Sequence, residues 1–516
     1  MLRTLRTPLR LLGIARTLAR HDALAALEEL GVAPAILWLA RLASRRQAGG
    51  RPGQKLARAL TELGPSFIKL GQFLSTRADL LGEQLAADLS ELQDRLPPFE
   101  SSQARATIEA ELGHLVEELF RSFDDTPISA ASIAQVHLAE TPGKDGEAGE
   151  EVAVKVLRPG VERAFDRDLE LLYWLAALVE RTRPRFRRFK PVAVVRLFEQ
   201  TVLIEMDLRM EASAASELAG NFAEDPSYRT PPIDWQRTSR RVLTMGRIGG
   251  TPIDDRVALI AAGHDLREVL TKAATIFFNQ VFRDGFFHGD QHPGNMFVDA
   301  EGNIVAVDFG IMGRLDRTTR SFLAEMLLAL LARDYGRLAE VHMAAGYLPP
   351  GQALETFAQA LRSVSEPIFD RPLHEISFAR ILARLLQLSE SFNLPVQPQL
   401  LLLQKNMLMA EGVSRRLDPE LNIWTLAEPL IEAWMQENRG PEARLRNAAQ
   451  DLAAAFERLP ALAANVEAAA SDLASGGLRL HPESVQALKG QGGGRTARWA
   501  LWIALAALAL AVAAVL

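Results

Sequence analysis

The chain contains no cysteine. That excludes disulfides, thiolate metal sites, iron–sulfur clusters and cysteine nucleophiles together. Basic charge is not in excess either: the net charge is −6 over 516 residues, so no overall positive field points to nucleic acid. Flavin fingerprints, metal triads, haem motifs and internal repeats are all missing. Apolar content is ordinary at 48%, which argues against long disorder. The length exceeds one compact core and implies roughly two to four domains.

One long uncharged run stands out. Trp499 to Leu516 carries neither charge nor proline, and at about 1.5 Å per residue it meets the lower limit for a transmembrane helix. Trp499 and Trp502 lie at its start, and Lys489, Arg495 and Arg498 precede it, which places the body in the cytoplasm or matrix. Gly490, Gly492, Gly493 and Gly494 form a hinge before it. At the other end, Arg3, Arg6, Arg10, Arg16 and Arg20 alternate with Leu9, Leu11, Leu12 and Ile14 without an acid. That pattern fits a basic surface helix, a membrane-resting amphipathic helix or a mitochondrial presequence. The run from Arg181 to Lys190, with Phe186 and Phe189 between its charges, reads as a solvated loop or as a surface for anionic lipid or nucleic acid, and the C-terminal apolar run favours lipid over nucleic acid.

Between these ends the hydrophobic period changes twice. Residues 1–120 read as a helical extension, with Leu56, Leu60, Leu63, Phe67, Leu70 and Leu74 at three- and four-residue spacing. Residues 121–250 contain a hairpin of alternating strands, at Ser132 to Ala139 and Glu151 to Leu157, then helices over Val161 to Arg181 and Val192 to Ala219 and a strand over Arg241 to Met245. Residues 251–490 read as a large helical part: one apolar helix over Leu266 to Phe282, a loop, two short strands flanking a turn at Glu301 to Asn303, and helices from Thr318 onward. A linker at 491–498 and an anchor at 499–516 complete the organisation. The fold class is α+β and mostly helical.

The loop carries the chemistry. His288-Gly289-Asp290 is followed by Asn295 five residues after the aspartate, and then by Asp308-Phe309-Gly310. Protein kinases place their catalytic and magnesium-binding residues in the same order. One carboxylate must face an acceptor hydroxyl or water, while an amide and a second carboxylate hold magnesium against phosphates. The strands at 296–307 bring Asn295 and Asp308 to the open end of one hairpin. Lys155, between apolar neighbours on its strand, is the phosphate-pairing lysine and needs a carboxylate partner. Glu211 is the first choice and Glu205 the second, with Asp207 four residues before Glu211 on the same helix face. His288 reads as a packed, hydrogen-bonded residue; His292 lies near the phosphoryl path. Nucleotide phosphates are normally covered by a glycine-rich loop. The segment here, Ile128-Ser129-Ala130-Ala131-Ser132-Ile133-Ala134-Gln135-Val136, has no glycine, so its phosphate handling should differ.

These motifs together resemble the UbiB family of atypical kinase-like proteins. The marks are the alanine-rich segment, Lys69-Leu70-Gly71-Gln72, Glu205-Met206-Asp207 with Glu211, the His288 to Asn295 loop and Asp308-Phe309-Gly310, over residues 10–490. The resemblance implies a protein-kinase-like two-lobed fold that binds ATP or ADP and Mg2+. It implies that Lys69 and Gln72 lie in an extension over the active site, and that adenine sits against the backbone near Met245. Gly246 stands where the family usually has Glu. It further implies ATPase or small-molecule or lipid kinase activity in support of ubiquinone biosynthesis, at the inner membrane of a bacterium or of a mitochondrion. Partners would be membrane lipids, anionic ones among them, and quinone-biosynthetic proteins or precursors. A nucleotide-regulated scaffold is the alternative. A protein kinase acting in trans is disfavoured, because about ten residues separate Gly310 from the next helix and leave little room to present a peptide.

Overall fold

The structure is a computed structural model that describes residues 2–23, 50–369, 384, 398–419 and 429–434, apart from stretches within 76–95, 144–148, 183–189 and 349–350. The proposed anchor at 499–516 and the linker at 491–498 lie outside the described residues, as does most of the Arg181 to Lys190 run. Among the described residues, no helix is long and apolar enough to cross a membrane.

Among the described residues, four helices open the chain: α1 (Leu2–Arg20), α2 (Pro52–Leu63), α3 (Pro65–Ser75) and α4 (Glu83–Ser90). Their apolar stripes meet in one cluster holding Leu11, Ile14, Leu18, Leu60, Phe67, Ile68 and Leu89. Leu171, from the helix Val161–Thr182, joins that cluster, so the extension is docked on the rest of the protein. Between them come α5 (Ser101–Leu112) and the single turn α6 (Val116–Leu119).

The strand-rich lobe is an antiparallel sheet of β1 (Ser122–Phe123), β2 (Ser129–Ala130), β3 (Ala134–Glu140), β4 (Glu151–Leu157) and β6 (Val242–Gly246). Its long helices are α7 (Val161–Thr182), α8 (Pro191–Glu205) and α9 (Leu208–Asn221). Strand alternation decides what each face does. Val152, Val154 and Val156 of β4 pack with Ile108 of α5 in one core. Ala153 joins the opposite cluster, around Phe165, Phe198, Met206 and Leu208. Lys155 shares that second face.

In the helical lobe, α10 (Arg256–Ala261) and α11 (Leu266–Phe278) lead to the loop that carries Asp290. The single helix read over 266–282 is corrected here: Asn279–Asp284 winds into a π-helical turn. The extra residue per turn brings Gln280 inward, where it is fully buried and accepts a hydrogen bond from the His288 backbone at 3.1 Å. Four short strands, β5 (Tyr228–Arg229), β7 (Thr251–Pro252), β9 (Met296–Val298) and β10 (Ile304–Ala306), form one sheet. A second ladder pairs β8 (Phe286–His288) with β11 (Met312–Arg314). Helices α12 (Arg317–Leu331), α13 (Tyr335–Ala344), α14 (Leu354–Phe369) and α15 (Pro398–Leu417) follow. Helix α12 begins sooner than the ten-residue spacing anticipated, and β11 occupies half of the interval.

Candidate active site

Lys155 leaves the sheet toward α9. Its Nζ lies 2.8 and 2.9 Å from the two carboxylate oxygens of Glu211 and 3.3 Å from Oδ1 of Asp308. Lys155 and Glu211 are 13% and 6% exposed, whereas Asp308 is about half exposed at 53%, so the pair is shut in and Asp308 faces the open cleft. Burial works against the Lys155 charge, but Asp308 and Glu211 outweigh it and hold the ammonium above its ordinary pKa. Burial pushes Glu211 up against the pull of Lys155. The Lys155 ammonium, with help from Lys69, holds Asp308 down to about 2. Lys155 and Asp308 are therefore charged near neutrality, while burial presses Glu211 toward its neutral form.

The reading of Asp207 on one helix face with Glu211 is corrected. The backbone breaks at Met206, and Asp207 caps α9, accepting from the Arg209 amide at 3.2 Å and pairing with the Arg209 guanidinium at 2.7 Å. An aspartate immediately before the first helical residue satisfies an otherwise unpaired amide of the first turn, which is why it leaves the helix. Glu205, at the end of α8, instead takes Lys69 of α3 at 2.8 Å. The two lysine–glutamate pairs stand on neighbouring elements. A cavity of about 400 Å³ adjoins them, lined in part by Lys69, Gln72, Glu205, Glu211 and Phe309.

Asp290 and Asn295 belong to a loop whose geometry is over-determined. The Asn295 side-chain amide donates to the Asp290 carbonyl at 3.2 Å, and the Val307 amide donates to the Asn295 carbonyl at 2.9 Å. Met296 registers with Ala306, so the hairpin sets Asn295 and Asp308 at its open end. Asp308 has φ 62°, a left-handed conformation that costs a non-glycine residue free energy and here turns its carboxylate back over Gly310.

His288 is fully buried. Its Nδ1 accepts from the Asp290 amide at 3.0 Å, so Nε2 carries the proton and donates to the Val307 carbonyl at 3.3 Å. Burial lowers its pKa and keeps it neutral. His288 shapes the loop, while His292 is exposed and only caps the Gly294 amide. Gly289 has a steric reason: a Cβ there would meet the Ile311 carbonyl oxygen at 2.9 Å, because the Gly289 amide donates to that same oxygen at 2.8 Å. Gly246 is similar, since a Cβ would meet the Pro232 ring at 2.8 Å.

The alanine-rich segment divides in two. Ile128 and Ser129 are exposed, with Ala130, Ala131 and Val136 partly so, whereas Ser132, Ile133, Ala134 and Gln135 are buried. Gln135 turns inward, bonded to both backbone groups of Phe99 and to His137. Met245 is also a core side chain, 8% exposed. Arg158, which sequence reading passed over, donates to the carbonyls of Ala131 at 2.9 Å and Pro97 at 2.8 Å and pins the turn.

Two further residues went unnoticed. Lys405 of α15 donates to Asp290 Oδ1 at 2.7 Å. Its neighbour Asn406, fully buried, donates to the His288 carbonyl at 2.5 Å and accepts from the Gln291 amide at 3.2 Å. No local pattern marks this pair, which lies 115 residues beyond Asp290.

A small antiparallel sheet with a lysine–glutamate pair, above a helical lobe with an Asp–Asn loop and an Asp-Phe-Gly turn, defines a protein-kinase-like fold. Residues 91–342 match the ABC1 atypical kinase-like domain, and residues 361–422 match the UbiB helical domain. Among curated relatives, the probable protein kinase UbiB of Marinobacter nauticus is 46% identical over 429 residues, 82% of this chain and 78% of its own. That of Azotobacter vinelandii is 44% identical over 440 residues, 84% and 80% of the two chains. A solved structure of Rv3197 with erythromycin from Mycobacterium tuberculosis is 26% identical, covering 72% of this chain and 93% of its own, with a TM-score of 0.48. The chain belongs to the UbiB family of atypical kinase-like proteins.

Proposed function

We infer that the protein is a magnesium-dependent ATPase, or a kinase for a small-molecule or lipid acceptor, that supports ubiquinone biosynthesis at a membrane. The observation that carries the reading is the convergence of Lys155, Glu211 and Asp308 from three separate elements beside the loop of Asp290 and Asn295.

The donor set suits magnesium. Asp308 offers a half-exposed carboxylate, and the Asn295 amide, whose nitrogen is spent on the Asp290 carbonyl, has its oxygen to give. Two hard oxygens plus substrate phosphates and water are what this ion takes. When bound, magnesium supplies charge neutralisation on the phosphate oxygens. Lys155 pairs with the phosphates of the nucleotide, and Glu211 keeps that ammonium in place. Asp290 orients the acceptor hydroxyl or water. The acceptor oxygen bonds to the γ-phosphorus, the bond from that phosphorus to the bridging oxygen breaks, ADP leaves with the electron pair, and Asp290 takes the proton. The apolar run at 499–516 would anchor the body to the bacterial inner membrane, with lipids and quinone-biosynthetic proteins as partners.

A nucleotide-regulated scaffold is the second reading. In its favour, the Lys155–Asp308 contact ties together two groups that a metal–phosphate ligand must separate. Phosphate release from magnesium–ATP, measured in detergent and on anionic vesicles, decides between them. Turnover by wild type and none by Asp290→Asn supports the enzyme. Nucleotide binding without any release favours the scaffold.

A further inference from the structure

We propose that Lys405 is a positioning residue for phosphoryl transfer, supplied to the kinase-like loop by the helical domain. Its ammonium fixes the Asp290 carboxylate so that one oxygen is held and the other faces the acceptor. This rests on the reading of Asp290 given above.

The torsion that orients an aspartate carboxylate is broad and nearly two-fold, so an untethered Asp290 would sample many orientations. Lys405 Nζ takes Oδ1 at 2.7 Å. Among the described residues, no other cation reaches Asp290, and Oδ2 takes no hydrogen bond. Lys155 and Lys69 are engaged with Glu211 and Glu205. Among the described residues, the Lys405–Asp290 pair is therefore the one charged contact that bears on the carboxylate's direction.

The pair is not needed to dock α15. Asn406 already clamps both sides of Asp290, through the His288 carbonyl and the Gln291 amide. Leu403, Val413 and Leu417 bury the same helix in the two cores of the lobe. Lys405 and Asp290 are 26% and 30% exposed, and partly exposed ion pairs contribute little to stability. Adjacent residues thus divide the work: Asn406 sets where α15 lies, and Lys405 reaches from that fixed base to the carboxylate. A positioned general base must keep its oxygen within hydrogen-bond reach of the acceptor proton, and misplacement by about 1 Å can cost roughly a hundredfold in rate.

The test uses the full chain in detergent and compares wild type, Lys405→Met and Lys405→Arg. Magnesium–ATP turnover, affinity for a fluorescent ATP analogue and thermal midpoint are measured for each. The proposal expects Lys405→Met to lower kcat by roughly a hundredfold, with nucleotide Kd within about twofold and the midpoint unchanged. Lys405→Arg, which can still donate to Oδ1, should recover most of the turnover. Full turnover in Lys405→Met overturns the proposal and leaves the function standing. So does a rate loss that only follows a fall in nucleotide affinity. If Lys405→Met does not fold, loss of turnover in a folded Lys405→Arg overturns it and retention supports it. A wild type that binds magnesium–ATP but releases no phosphate removes the enzymatic reading and this inference together.

Discussion

Removing Lys155 alone should cost more than removing both halves of the Lys155–Glu211 pair. Both carboxylate oxygens of Glu211 accept from Lys155, and the two side chains are 6% and 13% exposed. In Lys155→Met, Glu211 is left buried and unpaired with the Asp308 carboxylate nearby, a situation that costs about 3 kcal/mol or more. In Glu211→Leu, Lys155 still has Asp308 at 3.3 Å, but that carboxylate is half exposed and the attraction is screened; about 2 kcal/mol is expected. In the double variant, apolar side chains replace both charges and the loss should stay near 2 kcal/mol, leaving a coupling of about 3 kcal/mol. Urea unfolding of the nucleotide-free protein, followed by tryptophan fluorescence, measures all four corners of this cycle. Losses that add within about 0.5 kcal/mol would refute the reasoning. So would Glu211→Leu proving the more damaging of the two single changes.

Burial lowers the pKa of His137, His288 and His342, so below the ordinary imidazole range near 6.5 the unfolded chain binds protons that the folded one does not. Stability should therefore be full above that range and fall as pH drops through it; a urea midpoint that is flat between about pH 7.5 and pH 5.5 contradicts this. Gly289→Ala forces a Cβ against the Ile311 carbonyl at 2.9 Å and should cost about 1–3 kcal/mol with reduced turnover, checked by thermal unfolding and phosphate release. Asp207→Ala removes a helix cap and should cost about 1 kcal/mol while leaving nucleotide affinity unchanged; a large drop in ATP binding would place Asp207 in the site after all.

Lys155 could be found from sequence because alternation along one strand assigns a face to every residue, and a lysine between buried valines on such a strand demands a partner. The Asp290, Asn295 and Asp308 spacing was equally local, since one loop and the short hairpin that follows it join all three. Glu211 was harder, because helix periodicity offered Asp207 and Glu205 as rivals. The break at Met206 separates them, and it is made by the Asp207 cap and by tertiary packing rather than by any proline or glycine. Gln280 was invisible for the same kind of reason: a π-turn inside an apolar helix changes the register without a compositional mark. Lys405 and Asn406 look like ordinary polar residues of an amphipathic helix. Only the folded chain brings them to the loop. In the glycine-free segment Ser132 to Gln135 are buried, and Gln135 bonds inside the sheet because β3 begins at Ala134 and carries it into the ladder, which composition alone does not mark.

In the proposed function Lys155, Asn295 and Asp308 surround one magnesium ion and a triphosphate. Calorimetric titration of ATP into wild type and Asp308→Asn, each with magnesium and with a chelator, tests it most directly. Magnesium should tighten ATP binding to wild type at least tenfold, about 1.4 kcal/mol, and give no such gain in Asp308→Asn. Equal enhancement in both proteins would contradict it.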